Sequence, residues 1–237
     1  MGDHTGPPAG ESLRALLAGA SGALKVFPLP GVVVFPGTPA PFHIFEPRYR
    51  AMVADALAGD RLLAVATLRD PEEAPLAHAP LAPVAGAGVI EAHERLPDGR
   101  FNILLRGVAR VNLLAELPGT GRPYREFRVE VLDDLYPEGG PEAVAAATTT
   151  LERCVLELAR RRPGEDGTPD LAEAVARMRV PARMADAVAA ALVGDPARRL
   201  ALLAEVDVAR RLEAVIREVA EALLAVPSKG GGPLPRA

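Results

Sequence analysis

The chain has 237 residues, 49% hydrophobic and 24% charged, a balance that supports one large or two small globular domains. Its formal charge of −4 lacks the cationic excess that neutralising many phosphates requires, so nucleic acid is not expected as a partner. The single cysteine, Cys154, excludes a disulfide framework and a cysteine-based zinc site, and no stretch reaches the ~18 unbroken apolar residues of a membrane span.

The start, MGDHTGPPAGES, has neither the basic lead nor the apolar run of a signal peptide, so a cytoplasmic protein with no membrane partner is expected. Residues 1–22 and 227–237 are Gly/Pro-rich, have little to bury and are expected to be flexible. Between them, six runs read as strands: KVFPL, VVVF, LLAVATL (62–68), GAGVIEAHERL (86–96), FNILLRGVARVNLLAEL (101–117) and FRVEVLDDL (127–135). Asp98-Gly99, set between two alternating runs, predicts a tight hairpin, because Gly tolerates the positive φ such a turn demands. Short connections among several strands predict a small barrel or rolled sheet. One helix interrupts them: Pro47 suits a first helical position, Tyr49, Met52, Val53, Ala56 and Leu57 form an apolar stripe, and Gly59 stops it. The segment from Pro36 through Pro39 and Pro41 to Phe45 is expected to leave the sheet as an extended arm, since none of its prolines can donate a ladder hydrogen bond.

The chain changes character near PEGGPE, residues 137–142. All nine aromatic residues lie between Phe27 and Tyr136, and beyond residue 141 the apolar period becomes about 3.6. Helices are predicted over 143–162, 171–178, 182–192 and 208–226. The last carries Val208, Leu212, Val215, Ile216, Val219, Leu223 and Leu224 on one face, with Asp207 as its N-cap. The domains expected are therefore a β part over 23–136 and an all-α helical bundle over 141–226.

Serine occurs only at Ser12, Ser21 and Ser228 and lysine only at Lys25 and Lys229, so a Ser-His-Asp triad or Ser-Lys dyad has no anchored nucleophile. There is no G-x-x-x-x-G-K-[ST], no G-x-G-x-x-G and no H-E-x-x-H. His93 with Glu91 makes at most half a metal site, and a solvated strand face explains the same residues. No cofactor, no metal and no catalytic residue is expected. Cys154 falls in a stripe with Leu151, Val155 and Leu158 at the spacing of a buried helical face. Arg160, Arg161 and Arg162 end a helix, where cations stabilise the carbonyl terminus.

Three segments together resemble the N-terminal substrate-binding domain of Lon proteases, especially the stand-alone bacterial proteins made of that domain. They are VFPLPGVVVFPGTPAPFHIFEPRYRAMVADAL (26–57), LPDGRFNILLRGVARV (96–111) and GDPARRLALLAEVDVARRLE (194–213), of which HIFEPRYR is the most specific. The resemblance covers roughly residues 24–226. It implies an α+β fold, a PUA-like β pseudo-barrel followed by an all-α helical bundle, and the function of a non-catalytic peptide-binding module, an adaptor in protein quality control. The ATPase and Ser-Lys protease modules of Lon are absent from this sequence. The partners implied are unfolded or flexible protein segments and a protease or other protein partner.

The candidate peptide-binding residues are Phe42, Ile44 and Phe45 on the arm, with Arg48 and Tyr49 at the start of the helix. Two readings of the aromatic arm stay open: core under the barrel, which suits Phe in general, or an exposed patch whose prolines lower the entropy of binding. Glu46 is expected to pair with Arg48 or Arg106 and to hold the arm. An alternative from another class is a PUA-like protein that binds RNA or a small ligand, against which stand the 13 basic and 17 acidic side chains of residues 1–140.

Overall fold

The longest strand organises the first half of the molecule. In this computed structural model, residues 23–69, 79–118, 121–162 and 168–226 are described. The end segments 1–22 and 227–237, with His4, Ser12, Ser21, Ser228 and Lys229, lie outside the described residues, as does His78. Strand β5 (Phe101–Glu116) runs antiparallel to β4 (Val84–Arg95) along one edge. Its other edge pairs first with β2 (Pro39–Ile44) and then with β6 (Arg125–Leu132). Strand β1 (Ala23–Leu29) lies antiparallel to β6 and parallel to β3 (Leu62–Thr67), which pairs in turn with β4. The six-stranded sheet, in the order β2-β5-β4-β3-β1-β6, therefore closes on itself through β5 and β6, leaving β2 as an edge. Register shifts at Ala87/Gly88, Ile90/Ala92 and Leu113/Ala115 are bulges that bend β4, β5 and β6 enough for closure.

The two faces of these strands build two clusters. Leu24, Val26, Leu62, Ala64, Ala87, Val111 and Phe127 form one; Phe27, Ile44, Tyr49, Met52, Leu63, Val65, Ile90 and Leu105 form the other, with helix α1 (Pro47–Leu57). Strand β3 is buried at all six residues, which explains why LLAVAT is continuously apolar. The Asp98-Gly99 turn forms as expected, with Gly99 at φ 80°, and α1 starts on Pro47.

Two sequence expectations are corrected here. VVVF, residues 32–35, is a loop, not a strand. Val33, Val34 and Phe35 are buried, and the carbonyls of Val34 and Phe35 lie so close to Gly86 and Gly107 that a Cβ there would sit 2.0 and 2.1 Å from their oxygens. Side chains satisfy the loop: Thr67 Oγ1 donates to the Val32 carbonyl at 2.7 Å and Thr38 Oγ1 to that of Phe35 at 2.7 Å. Nor does the proline-rich arm leave the sheet. Residues 39–44 are β2, paired with β5 from Pro39↔Arg106 to Ile44↔Phe101. Pro39 and Pro41 share one parity, so the N–H groups they lack point off the edge, and Ala40, Phe42 and Ile44 supply the ladder.

The chain divides into two compact units. The first takes residues up to Leu135 together with Val193–Val206; the second takes Tyr136–Leu192 and the residues from Asp207 onward. The expected unbroken 141–226 bundle thus differs in one element. Helices α2 (Ala145–Arg161), preceded by a 3-10 turn, α3 (Thr168–Arg177), α4 (Pro181–Leu192) and α6 (Val208–Ala225) belong to the second unit, whereas α5 (Pro196–Ala204) belongs to the first. Arg110, buried in the first unit, donates from Nε to the Leu203 carbonyl at 2.9 Å, and Arg199 donates to the Val33 carbonyl at 3.1 Å with its guanidinium 5.9 Å from the Phe35 ring. Those two arginines fix α5 where it is.

In the second unit, Leu151, Val155, Leu158, Val188, Leu212, Val215 and Val219 are buried as their spacing predicts. Asp207 caps α6 through the Ala209 and Arg210 amides. Leu224, placed on the buried face by periodicity, is 86% exposed instead, while its neighbour Leu223 is half-buried. Asp186 and Arg211 form a completely buried ion pair, Nε to Oδ1 3.3 Å. Among the described residues no strand follows β6.

Candidate peptide-binding surface

Alternation along β2 sorts its side chains. Phe42 is half-buried with its ring 5.6 Å from that of Phe27, and Ile44 is buried beneath the sheet. His43, between them, points outward. The register sets His43 opposite Asn102 of β5 and Asn102 opposite Glu94 of β4, so three polar side chains form a row across three strands. Asn102 donates from Nδ2 to Glu94 Oε2 at 2.9 Å and presents Oδ1 to His43 Nδ1 at 2.7 Å. Nδ1 must therefore carry the proton, leaving Nε2 to accept from Arg100 Nη1 at 3.2 Å. Arg100 is itself held at 2.6 Å by Asp98, on the hairpin turn. The Arg100 bonds also hold the Asp98 carboxyl below the ordinary carboxylate range.

Phe45 follows the strand and stands 61% exposed, stacked on His43 at 6.3 Å with 24° between the rings. Beside it lies a shallow depression of about 510 Å³, walled by Pro41, Phe42 and His43 from β2, His93 and Glu94 from β4, and Asn102 to Leu104 from β5. At the other end of β2, Arg106 donates to Glu91 at 2.7 Å and to the Gly37 carbonyl at 3.3 Å, and its hydrogen bond keeps the Glu91 carboxyl below its ordinary range.

Of the five residues proposed from sequence, only Phe45 is strongly exposed. Phe42 and Arg48 are half-buried, while Ile44 and Tyr49 belong to the core. Tyr49 lies 4.6 Å from the Phe27 ring, and burial pushes its hydroxyl above the ordinary range. Arg48 covers the Tyr49 ring at 4.4 Å and pairs with Glu46 at 3.0 Å, as one expectation had it; Arg106 takes Glu91 instead. Sequence reasoning missed His43, Asn102, Glu94 and Arg100, whose only early signal is their outward parity on either side of the Asp98-Gly99 turn. Glu91 is spent on Arg106, and no cluster of three His, Cys, Asp or Glu suited to a metal occurs among the described residues. No helix among them is long and apolar enough to cross a membrane.

A closed mixed sheet with an edge strand, joined to helices, defines this as an α+β protein. The chain belongs to the family of the ATP-dependent protease La (LON) substrate-binding domain, whose model matches residues 23–221. It is 28% identical over 214 residues to the Lon protease of Paraburkholderia phytofirmans, covering 90% of this chain and 26% of that protein. With the Lon protease of Salinispora arenicola the identity is 29% over 194 residues, covering 81% and 23%. The chain thus spans about a quarter of the length of these curated relatives. The fold is similar to that of the N-terminal domain of a Mycobacterium avium complex Lon protease, with a TM-score of 0.67 and 20% identity over 84% of this chain and 98% of that one. A Lon N-terminal domain protein from Xanthomonas campestris superimposes with a TM-score of 0.55 and 22% identity over 86% and 99%.

Proposed function

We propose that this chain is a non-catalytic recognition module that holds exposed or unfolded protein segments against β2, β5 and β4, with Phe45 as the apolar anchor and His43, Asn102 and Glu94 as adaptable polar contacts. The observation that carries the reading is the exposure of Phe45 beside an open depression, in a chain of a substrate-binding family. Exposed apolar surface beside an open depression suits a docking site, and Phe45 keeps most of its ring surface exposed while stacked on His43. The half-buried Phe42 and Arg48 border the anchor, whereas Ile44 and Tyr49 support it from beneath.

We further read the closed ring of strands as the PUA-like pseudo-barrel and the protein as a cytoplasmic adaptor in protein quality control. Support for the absence of covalent chemistry comes from the sequence: no phosphate-binding loop occurs, and Lys25, the one lysine among the described residues, is tied to Asp60 at 3.2 Å. A peptide burying ~400 Å² of apolar surface here gains ~10 kcal/mol gross at ~25 cal/mol/Å². Association and ordering cost ~4–15 kcal/mol, which leaves an affinity between about micromolar and millimolar. Useful capture then depends on several weak contacts along one client chain.

The test is fluorescence anisotropy with a labelled, aromatic-rich unfolded peptide. Phe45→Ser should retain the wild-type circular dichroism and weaken binding about tenfold. Equal affinity in the folded variant would reject the site.

A further inference from the structure

On the helical unit, a second surface has a different chemistry. Helix α2 packs against α6, and along their seam lies a hollow of about 490 Å³ to which α2 contributes Arg153, Leu156, Glu157 and Arg160, and α6 contributes Leu223. Leu156 is 44% exposed, and Leu224, next to Leu223, is the most exposed large apolar side chain of the described residues. The rim is cationic, with Arg153, Arg160 and Arg161 against a single carboxylate, Glu157, which is already held by Arg161 at 2.7 Å. Arg153 and Arg160 have no carboxylate partner among the described residues.

The helix terminus accounts for only part of this. Cations near the last carbonyls stabilise α2, which suits Arg160 and Arg161, but the effect fades within one turn and Arg153 sits two turns earlier. Spacing of seven residues places Arg153 and Arg160 on one face with Leu156 between them. Two guanidinium forks with no carboxylate partner among the described residues, bracketing an exposed leucine, are complementary to carboxylates flanking an apolar side chain.

We propose that the α2–α6 groove binds an acidic segment of a partner protein, with leucine or phenylalanine side chains entering between Leu156 and Leu223 and carboxylates bridging to Arg153 and Arg160. This site is separate from the Phe45 surface and takes a different class of segment.

The experiment titrates the full chain into a labelled peptide that alternates Asp/Glu with Leu, and into its Lys-for-Asp/Glu counterpart. The acidic peptide should bind, the basic one should not, and the affinity should fall as salt rises. Arg153→Glu/Arg160→Glu, both exposed and so able to fold, should lose about tenfold or more for the acidic peptide and gain affinity for the basic one. Leu156→Ser should weaken binding without altering the salt dependence, while Phe45→Ser should leave it unchanged. Binding that ignores the charge reversal, or equal binding of both peptides, would overturn the proposal. So would sedimentation showing that the groove is filled by a second copy of the chain, with a dimer that Leu156→Ser dissociates.

Discussion

Replacing Gly107 by alanine would place a methyl carbon 2.1 Å from the Phe35 carbonyl oxygen and 2.9 Å from its carbon. Both obstacles are backbone, so no rotamer change relieves them, and the 34–38 loop must retreat by about an ångström. That loop is bonded to the same glycine, Gly37 N–H to the Gly107 carbonyl at 2.8 Å and Gly107 N–H to that of Thr38 at 2.9 Å. Overpacking costs ~1–3 kcal/mol and a strained or lost backbone bond about another 1 kcal/mol, so Gly107→Ala should destabilise by ~2–4 kcal/mol. At ~2–4 °C per kcal/mol for a chain of this length, the Tm falls by roughly 5–15 °C. Gly86→Ala, whose methyl would lie 2.0 Å from the Val34 oxygen, should behave alike. The double variant should lose less than the sum, because both methyls push one loop. Gly194→Ala, with nothing within 4 Å, should stay within about 0.5 kcal/mol of wild type. The chain lacks tryptophan, so thermal and urea unfolding would be followed by far-UV circular dichroism. A Gly107→Ala protein as stable as Gly194→Ala would refute the close approach, and with it the placement of the loop that leads into β2.

Arg211→Met should cost ~3–5 kcal/mol in urea unfolding by leaving Asp186 buried without its cation, and Asp186→Leu with Arg211→Met should recover most of the loss. Tyr124 donates to Asp55 at 2.6 Å, and burial, with that bond, raises its hydroxyl pKa well above the ordinary ~10. The stability this contributes is therefore present below pH ~10 and lost as pH climbs towards the raised value, so Tyr124→Phe should show a smaller alkaline decline in Tm, with Tyr49 supplying the remainder. A fragment ending at residue 140 removes α5 and leaves Arg110 without the Leu203 carbonyl; calorimetry should show a broad, weakened transition where the full chain's first unit unfolds cooperatively.

What the sequence disclosed was local. The hairpin at Asp98-Gly99, the helix beginning at Pro47 and the cap at Asp207 each follow from a few adjacent residues, and each occurs in the structure. The misreadings came from partners far along the chain. Three prolines read as a break in pairing, yet two of them share the outward parity of an edge strand, which only the register with β5 reveals. VVVF has every mark of a strand, but Gly86 and Gly107 admit its carbonyls edge-on, and two glycines within apolar runs do not announce that approach. No helix is predicted over 196–204, although Asp195 and Pro196 are ordinary start signals; that α5 belongs to the first unit depends on Arg110 and Arg199, whose partners lie 93 and 166 residues away. The candidate surface was half legible for the same reason. Phe45 lies within the specific HIFEPRYR string, whereas His43, the first residue of that string, meets Asn102 and Glu94 only when three strands are in register.

Hydrogen–deuterium exchange of the full chain, with and without a saturating aromatic-rich unfolded peptide, tests the central claim most directly. Bound peptide should slow exchange in residues 39–45, 92–95 and 100–104, leave α2 and α6 unchanged, and produce no such protection in Phe45→Ser. Protection confined to the helical unit, or identical protection in Phe45→Ser, would contradict the assignment of peptide recognition to β2 and its neighbours.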